Sequence, residues 1–312
     1  MKKKREWLWL SLLAIIIILL IPWSVMRWHK YGNFTNDKVI RVLTEDGKIL
    51  KLPLEEYLIG VVAAEMPAGF GEEALKAQAV AARTYAVKCL NKNLFKDEGY
   101  DVDTTVKTQA WLSDKQLRKK WGVLSYLSML AKVKKSVEGT KGKVLVYDGK
   151  YVDAFYHSSS GRKTTEQPEE VWGGSAEGHF QNVVSGEENP LRFKKQFSFS
   201  INELAEKLGQ AEVQKGLKSG DIKLLSRTKA GRIRSISILG KTYLGTQIRT
   251  LLGLASTDFE WLVKSDHIVF TTYGYGHAVG MSQYGANDLA NRKYTYDRIL
   301  EHYYPSTQIK TI

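Results

Sequence analysis

The sequence predicts an α+β fold, mainly antiparallel sheets with helices around a cleft, preceded by one N-terminal transmembrane helix. Three observations lead there. Short β-rich runs joined by Asp-Gly pairs, at Asp46-Gly47 and Asp148-Gly149, read as hairpins. Helical stretches lie among these strands without the strand–helix–strand alternation that builds a parallel sheet. Lys2, Lys3, Lys4 and Arg5 precede a run from Trp7 to Met26 with no charged residue, and about 20 such residues match the thickness of a bilayer core.

Trp7, Trp9, Trp23 and Trp28 stand near the two ends of that run, where indole rings prefer the interface. The cationic flank stays in the cytoplasm and sends the remainder outside. A cleaved signal peptide competes with this reading, but no small-x-small site follows the apolar run. The chain therefore divides into a cytoplasmic basic tail (1–6), a single-pass anchor (7–26), a linker (27–38) and an extracytoplasmic domain (39–312), with room for two subdomains around the cleft. One cysteine, Cys89, leaves no intrachain disulfide. Stability must then come from the core, and 43% hydrophobic residues suffice for one. The net charge is +13; the four cations and Glu6 of the tail account for 3, leaving +10 for the rest. Outside the membrane that charge suits an anionic wall polymer or anionic lipid head groups better than nucleic acid, although a diffusely basic solubilising surface gives the same count.

Val39 to Leu43 and Lys48 to Leu52 form the first hairpin, and Pro53 opens the helix that carries Glu65. The next helix, Glu72 to about Asn91, places Leu75, Ala79, Ala82, Ala86 and Cys89 on one face, small enough for a close neighbour. Asn91 to Thr108 reads as loop and Lys115 to Glu138 as mostly helix. Lys143 to Tyr147 and Lys150 to Tyr156 form the second hairpin, which delivers Tyr156-His157-Ser158-Ser159-Ser160-Gly161 at its end. Thr164 to Pro190 is turn-rich. Ser200 and Glu203 make a capping box for a helix over Ile201 to Leu208. Strands near Ile222 to Thr228 and Arg232 to Leu239, a short helix at Thr246 to Leu252, and a strand at His267 to Thr272 follow. That strand runs into the Gly-rich segment 274–285, and a helix near Tyr296 to Tyr304 closes the series.

Glu65 sits where helical spacing from Leu54, Leu58, Val61 and Val62 would place an apolar residue. Pro67 disfavours helical geometry just before it, so the helix stops there and presents the carboxyl at its end. Loss of hydration raises the pKa of such a group, which suits a general acid. The competing reading is a helix-end carboxylate paired with Arg83 or Lys76. The Gly-rich segment fits neither the dinucleotide fingerprint nor the Walker pattern. With His277, Ser282 and Gln283 among its glycines, it reads as a tight loop against a ligand, or as a buried turn with a satisfied histidine. His157 beside Ser158 is not a nucleophile–base pair, since neighbours on a strand point to opposite faces and no G-x-S-x-G elbow is present. Six histidines and one cysteine lie scattered without zinc-ligand spacing.

Together, Val62-Ala63-Ala64-Glu65-Met66-Pro67 with Ala74 to Tyr85, the Tyr156-His157-Ser158-Ser159 strand end, and Gly276 to Ala286 resemble the stage II sporulation protein D (SpoIID) family over nearly the whole exported part. The resemblance implies a lytic transglycosylase that cuts peptidoglycan glycan strands, preferring those stripped of stem peptides, during forespore engulfment. It also implies work in the mother-cell engulfing membrane with the wall amidase SpoIIP and the membrane protein SpoIIM. The family's catalytic Glu falls on Glu65. Its cleft residues fall on Tyr85, Gln109, Tyr156, His157, Ser158, His277, Ser282 and Gln283; beside them, the aromatic residues near the Gly-rich loop, Tyr273, Tyr275 and Tyr284, offer stacking platforms for sugars. A zinc motif of some relatives is replaced here by Val106-Lys107-Thr108-Gln109, in which only the Gln survives, so neither metal nor other cofactor is carried over.

A glycoside hydrolase normally needs two carboxylates. A lytic transglycosylase works with one, because the muramic 6-hydroxyl attacks intramolecularly, and Glu65 is the one carboxylate beside these motifs. Two rivals stand: a wall-binding enhancer of an N-acetylmuramoyl-L-alanine amidase that cuts nothing, and a zinc amidase built on His157, His277 and one more ligand.

Overall fold

The computed structural model describes residues 38–92, 96–105, 108–174, 178–187, 189–210, 219–265 and 267–312. The predicted tail, anchor and nearly all of the linker lie outside them. Among the described residues no helix is long and apolar enough to cross a membrane.

The first hairpin forms as predicted, β1 (Val39–Leu43) antiparallel to β2 (Ile49–Pro53). Helix α1 (Leu54–Glu65) begins directly after Pro53 and ends at Met66, whose backbone is extended as a residue before proline must be. Helix α2 (Glu72–Lys92) was expected to bury one stripe. Instead it is buried on nearly every side, because Ala74, Ala77, Ala79, Ala81, Ala82 and Ala86 let neighbours approach from all directions. Its Arg83 is fully buried and held by Glu55 through a bidentate pair at 2.6 and 2.8 Å.

The stretch read as loop from Asn91 to Thr108 contains a two-residue strand, β3 (Val102–Asp103), parallel to β1. Helix α3 (Asp114–Glu138) starts on a capping box at Ser113 and breaks at Gly122, where φ is +71°. The second hairpin needs correction. Strand β4 (Lys143–Tyr147) pairs with β5 (Lys150–Tyr151), but β5 does not continue to Tyr156. Asp153 is bound to Lys88 of α2 at 2.6 Å, and the Phe155 N–H donates back to the Asp153 carbonyl, turning the chain. Tyr156–His157 then forms a separate strand, β6, parallel to β13 (Met281–Ser282). Two glycines with positive φ allow the neighbouring backbones to meet. A Cβ on Gly161 would lie 2.7 Å from the Gly274 nitrogen, and one on Gly280 would lie 2.0 Å from the Phe155 carbonyl oxygen.

After α4 (Pro168–Trp172) the chain enters a second hydrophobic core built from Leu204, Ile222, Ile236, Ile248, Phe259, Ile268 and Phe270 with their neighbours. Here β7 (Lys195–Ser200) leads into α5 (Ile201–Lys207), which carries the predicted Ser200–Glu203 capping box. Strands β8 (Ile222–Arg227), β9 (Ile233–Ile238) and β10 (Lys241–Leu244) form one antiparallel sheet, followed by α6 (Gly245–Leu251). A second antiparallel sheet has the order β11 (Phe259–Val263), β12 (His267–Thr272), β7. The chain then returns to the first core with α7 (Gln283–Asn291), α8 (Tyr296–Tyr303) and β14 (Gln308–Thr311), the last pairing with β4. The predicted α+β character and antiparallel majority hold, and the second hydrophobic core is built by the segment between β6 and β13.

Candidate active site

Glu65 closes α1 at the edge of a cleft of about 620 Å³. Burial raises its pKa. Opposing that, the Ala110 N–H donates to Oε1 at 3.1 Å, the Gln283 side-chain amide lies 3.5 Å from Oε2, and the Tyr156 hydroxyl and Lys120 favour the ionised form. Burial wins, so the carboxyl holds its proton above the usual carboxylate range. The predicted pairing partners are occupied elsewhere: Arg83 by Glu55, and Lys76 by Glu72 and Glu73.

A buried chain of hydrogen bonds runs into this carboxyl from behind. Tyr57 donates to Gln109 Oε1 at 3.2 Å, and Gln109 Nε2 donates to the Tyr156 oxygen at 3.1 Å and to the Ala82 carbonyl at 3.3 Å. With its oxygen already accepting from Gln109, the Tyr156 hydroxyl proton is left for Glu65. Burial, with Glu65 adding to it, keeps the phenol far above its ordinary pKa, so it acts as a neutral donor. Lys120 of α3 donates to the Ala63 and Ala64 carbonyls at 2.9 and 3.4 Å, capping α1 while its charge stays near Glu65. Burial lowers the Lys120 pKa, and Glu65 opposes that.

The opposite wall comes from the end of β6, the segment after β12 and the start of α7. Ser158, Tyr275, Gln283 and Tyr284 line the cleft, joined by Trp121, Phe193 and Lys195. Tyr284 is braced edge-on by Phe70 at 4.8 Å and Phe193 at 5.0 Å, with Arg192 over its ring. Tyr275 is half exposed with Lys195 over it. Glu65 is the only carboxylate among the described residues that line the cleft.

Other predicted residues lie behind these walls. Ser282 is fully buried: its hydroxyl caps α7 by accepting from the Gly285 N–H and donates to Glu187 at 2.8 Å. His157 is buried, with Nε2 2.7 Å from Ser160 Oγ and Nδ1 3.1 Å from the Val279 carbonyl, and burial holds its pKa well below normal. His277 approaches His157 at 5.7 Å between ring centroids but lines a second cavity with Trp172 and Arg249. Tyr85 contacts Cys89 on α2 and is not among the cleft-lining residues. Tyr273, expected as a platform, lies under the Arg162 guanidinium at 3.6 Å.

A family described as SpoIID, Stage II sporulation protein, matches residues 44–147. The chain is 41% identical over 269 residues to stage II sporulation protein D of Bacillus subtilis (strain 168), covering 85% of this chain and 77% of that protein. This chain belongs to the stage II sporulation protein D family. It is 39% identical to the protein of the same name from Bacillus amyloliquefaciens, over 85% of this chain and 76% of that one. A more distant relative, the Amidase enhancer of Bacillus subtilis (strain 168), is 29% identical over 81% of this chain and 40% of its own length. The family match includes Glu65, Tyr85 and Gln109, while the segment carrying Tyr275, Gln283 and Tyr284 lies beyond it.

Sequence reasoning missed several site residues. Lys120 and Trp121 belong to a helix whose pattern marks nothing special. Glu187 accepts from Ser159 Oγ, the Ser160 N–H, Ser185 Oγ and Ser282 Oγ at 2.6 to 2.9 Å, tying three loops together behind the cleft. Its signal in the sequence is a Gly-Glu-Glu-Asn-Pro turn, which predicts exposure rather than this role.

Among the described residues no group of three or more His, Cys, Asp or Glu is placed to hold a metal ion.

Proposed function

We propose that this chain is a peptidoglycan lytic transglycosylase of sporulation, anchored in the membrane through residues 7–26 and acting on glycan strands outside it. The observation that carries this reading is the lone carboxyl of Glu65, its pKa raised by burial, in a cleft whose described lining has no second acid. Glu65 gives its proton to the glycosidic oxygen as the bond from the muramic C1 breaks. The 6-hydroxyl of the same sugar then attacks C1, its proton passes to the Glu65 carboxylate, and the enzyme returns to its starting state with an anhydro ring formed. Ala110 N–H, Tyr156 and Gln283 hold the carboxyl during both transfers. Tyr275, Tyr284 and Trp121 offer ring faces to the sugars, and Lys120 and Lys195 attract an acidic polymer.

The strands would be those already stripped of stem peptides, with SpoIIP and SpoIIM as partners at the engulfing mother-cell membrane. The match to an amidase enhancer favours a second reading, a wall-binding protein that stimulates an amidase without cutting. Mass spectrometry of products from peptide-stripped glycan separates the two. Anhydro-muramic ends released by the unaltered chain and absent with Glu65→Gln support the enzyme; binding and amidase stimulation without such ends overturn it.

A further inference from the structure

A second cavity, of about 650 Å³, opens among α4, β10 and α6, within the size range of small-ligand sites. It shares a loop with the Glu65 cleft: Tyr275 lines one, and His277, two residues on, lines the other. Its chemistry differs. None of its described lining residues is acidic, while Arg249 and Lys241 both are cationic. Arg249 forms no ion pair among the described residues, and its Nε is buried without a hydrogen-bond partner. The Arg249 side chain is part-buried in the cavity wall, and an Nε that has lost water without gaining an acceptor makes its guanidinium fork receptive to a carboxylate. His277 adds no charge: its Nδ1 accepts from the Val279 N–H at 3.1 Å, and burial, helped by Arg249, brings its pKa down to about 4. Trp172 is half exposed at the wall and packs on His277 at 5.2 Å, leaving an apolar ring face beside Thr246 and Gln247.

We infer that this second cavity binds a sugar bearing a free carboxylate, with the ring against Trp172 and the carboxylate on Arg249. The inference rests on the proposed glycan substrate and deepens it. A muramic sugar ends in a lactyl carboxylate once its peptide has been removed, whereas the peptide-bearing sugar has an uncharged amide there. Arg249 would then let a strand engage the cleft past Tyr275 only after stripping, which makes it a specificity-determining residue.

The test compares N-acetylmuramic acid with its methyl ester, as ligands for the full chain carrying Glu65→Gln, so that turnover plays no part. The acid should bind about 10-fold tighter or more, the size of one charge-assisted pair. Adding Arg249→Gln should abolish that preference, and Arg249→Lys should retain part of it. Equal binding of acid and ester, or a preference that survives Arg249→Gln and disappears with Lys120→Met, overturns the proposal. Since the acid–ester comparison on the Arg249-containing chain needs no change in this cavity, misfolding of an Arg249 variant does not remove the test. A chain that prefers the acid yet releases no anhydro ends would support this site while overturning the catalytic reading.

Discussion

Helix α1 carries a carboxylate near each end, Glu55 buried and Glu65 part-buried at the cleft edge, and their surroundings differ. In its first turn, Glu55 accepts two hydrogen bonds from Arg83 and one from the Gly142 N–H, fastening α1 to α2 and to the start of β4. At its last residue, Glu65 meets no guanidinium. It has one backbone N–H, a long contact from Gln283, a tyrosine hydroxyl and the field of Lys120. Both side chains have lost water, but only Glu55 has a full opposite charge bonded to it. The difference teaches that burial by itself does not assign a role: a buried acid with a bidentate cation is an anchor, and one with weak neutral donors keeps a proton to give.

The comparison breaks most sharply on activity. Glu65→Gln should lower the release of anhydro-ended glycans by about 10²–10⁴-fold while glycan binding stays near normal, measured by product mass spectrometry and pull-down on stripped peptidoglycan. Glu55→Gln should act on stability instead. Leaving Arg83 buried without its partner costs about 3–5 kcal/mol, read as a lowered denaturation midpoint, with activity per folded molecule preserved. If Glu55→Gln reduced turnover in fully folded protein as severely as Glu65→Gln, the division of labour along α1 would be wrong.

The tyrosine behind Glu65 sharpens the contrast at smaller amplitude. Tyr156→Phe removes a donor to the ionised carboxylate and one of the two acceptors of Gln109 Nε2, while the aromatic ring stays. About a 10-fold loss of turnover is expected from one missing hydrogen bond of this kind. Because Tyr156 favours the charged form of Glu65, its loss raises the Glu65 pKa further. Activity that needs protonated Glu65 falls as pH rises through that pKa, so the alkaline limb of the pH–rate profile should move to higher pH. A limb that stays in place or moves down would mean that Tyr156 does not touch the proton-carrying group.

These differences were unequally visible in the sequence. Both ends of α1 could be read, because Pro53 and Pro67 are local signals and the apolar spacing around Glu65 is periodic. Its freedom from Arg83 could not, since that depends on Arg83 reaching Glu55 from another helix. The same boundary explains the larger misses. Strands β3, β6 and β13 are two residues long and owe their existence to partners far along the chain, so no local alternation announces them. Helix α7 was hidden within a Gly-rich run read as loop, yet Gly285 is there for packing: a Cβ would lie 2.0 Å from the Ser185 carbonyl oxygen. Gln283 and Tyr284 reach the cleft because that close approach seats α7, while Tyr275 is held there by its backbone bridge to Ser159, far back along the chain. His157 and Ser282, which have the look of catalytic residues in one dimension, hold the loops behind it.

The smallest expected effect concerns stability, and it probes Glu65 without any substrate. Its pKa in the folded chain lies above the value of about 4.3 for an unfolded glutamate. Below the unfolded value both states are protonated and burial of Glu65 costs no ionisation energy. As pH rises from there through the higher folded pKa, the unfolded chain ionises first, and the folded state is progressively penalised for holding a partly desolvated carboxylate. Glu65→Gln cannot ionise, so the variant should gain stability relative to the unaltered chain across that window and hold the gain at neutral pH. Matched urea titrations at several pH values would follow the difference. Glu55→Gln should show no such gain, because removing that carboxylate abandons Arg83. A stability difference for Glu65→Gln that shrinks as pH rises would reverse the sign required of a proton donor and would place Glu65 with Glu55, among the anchors.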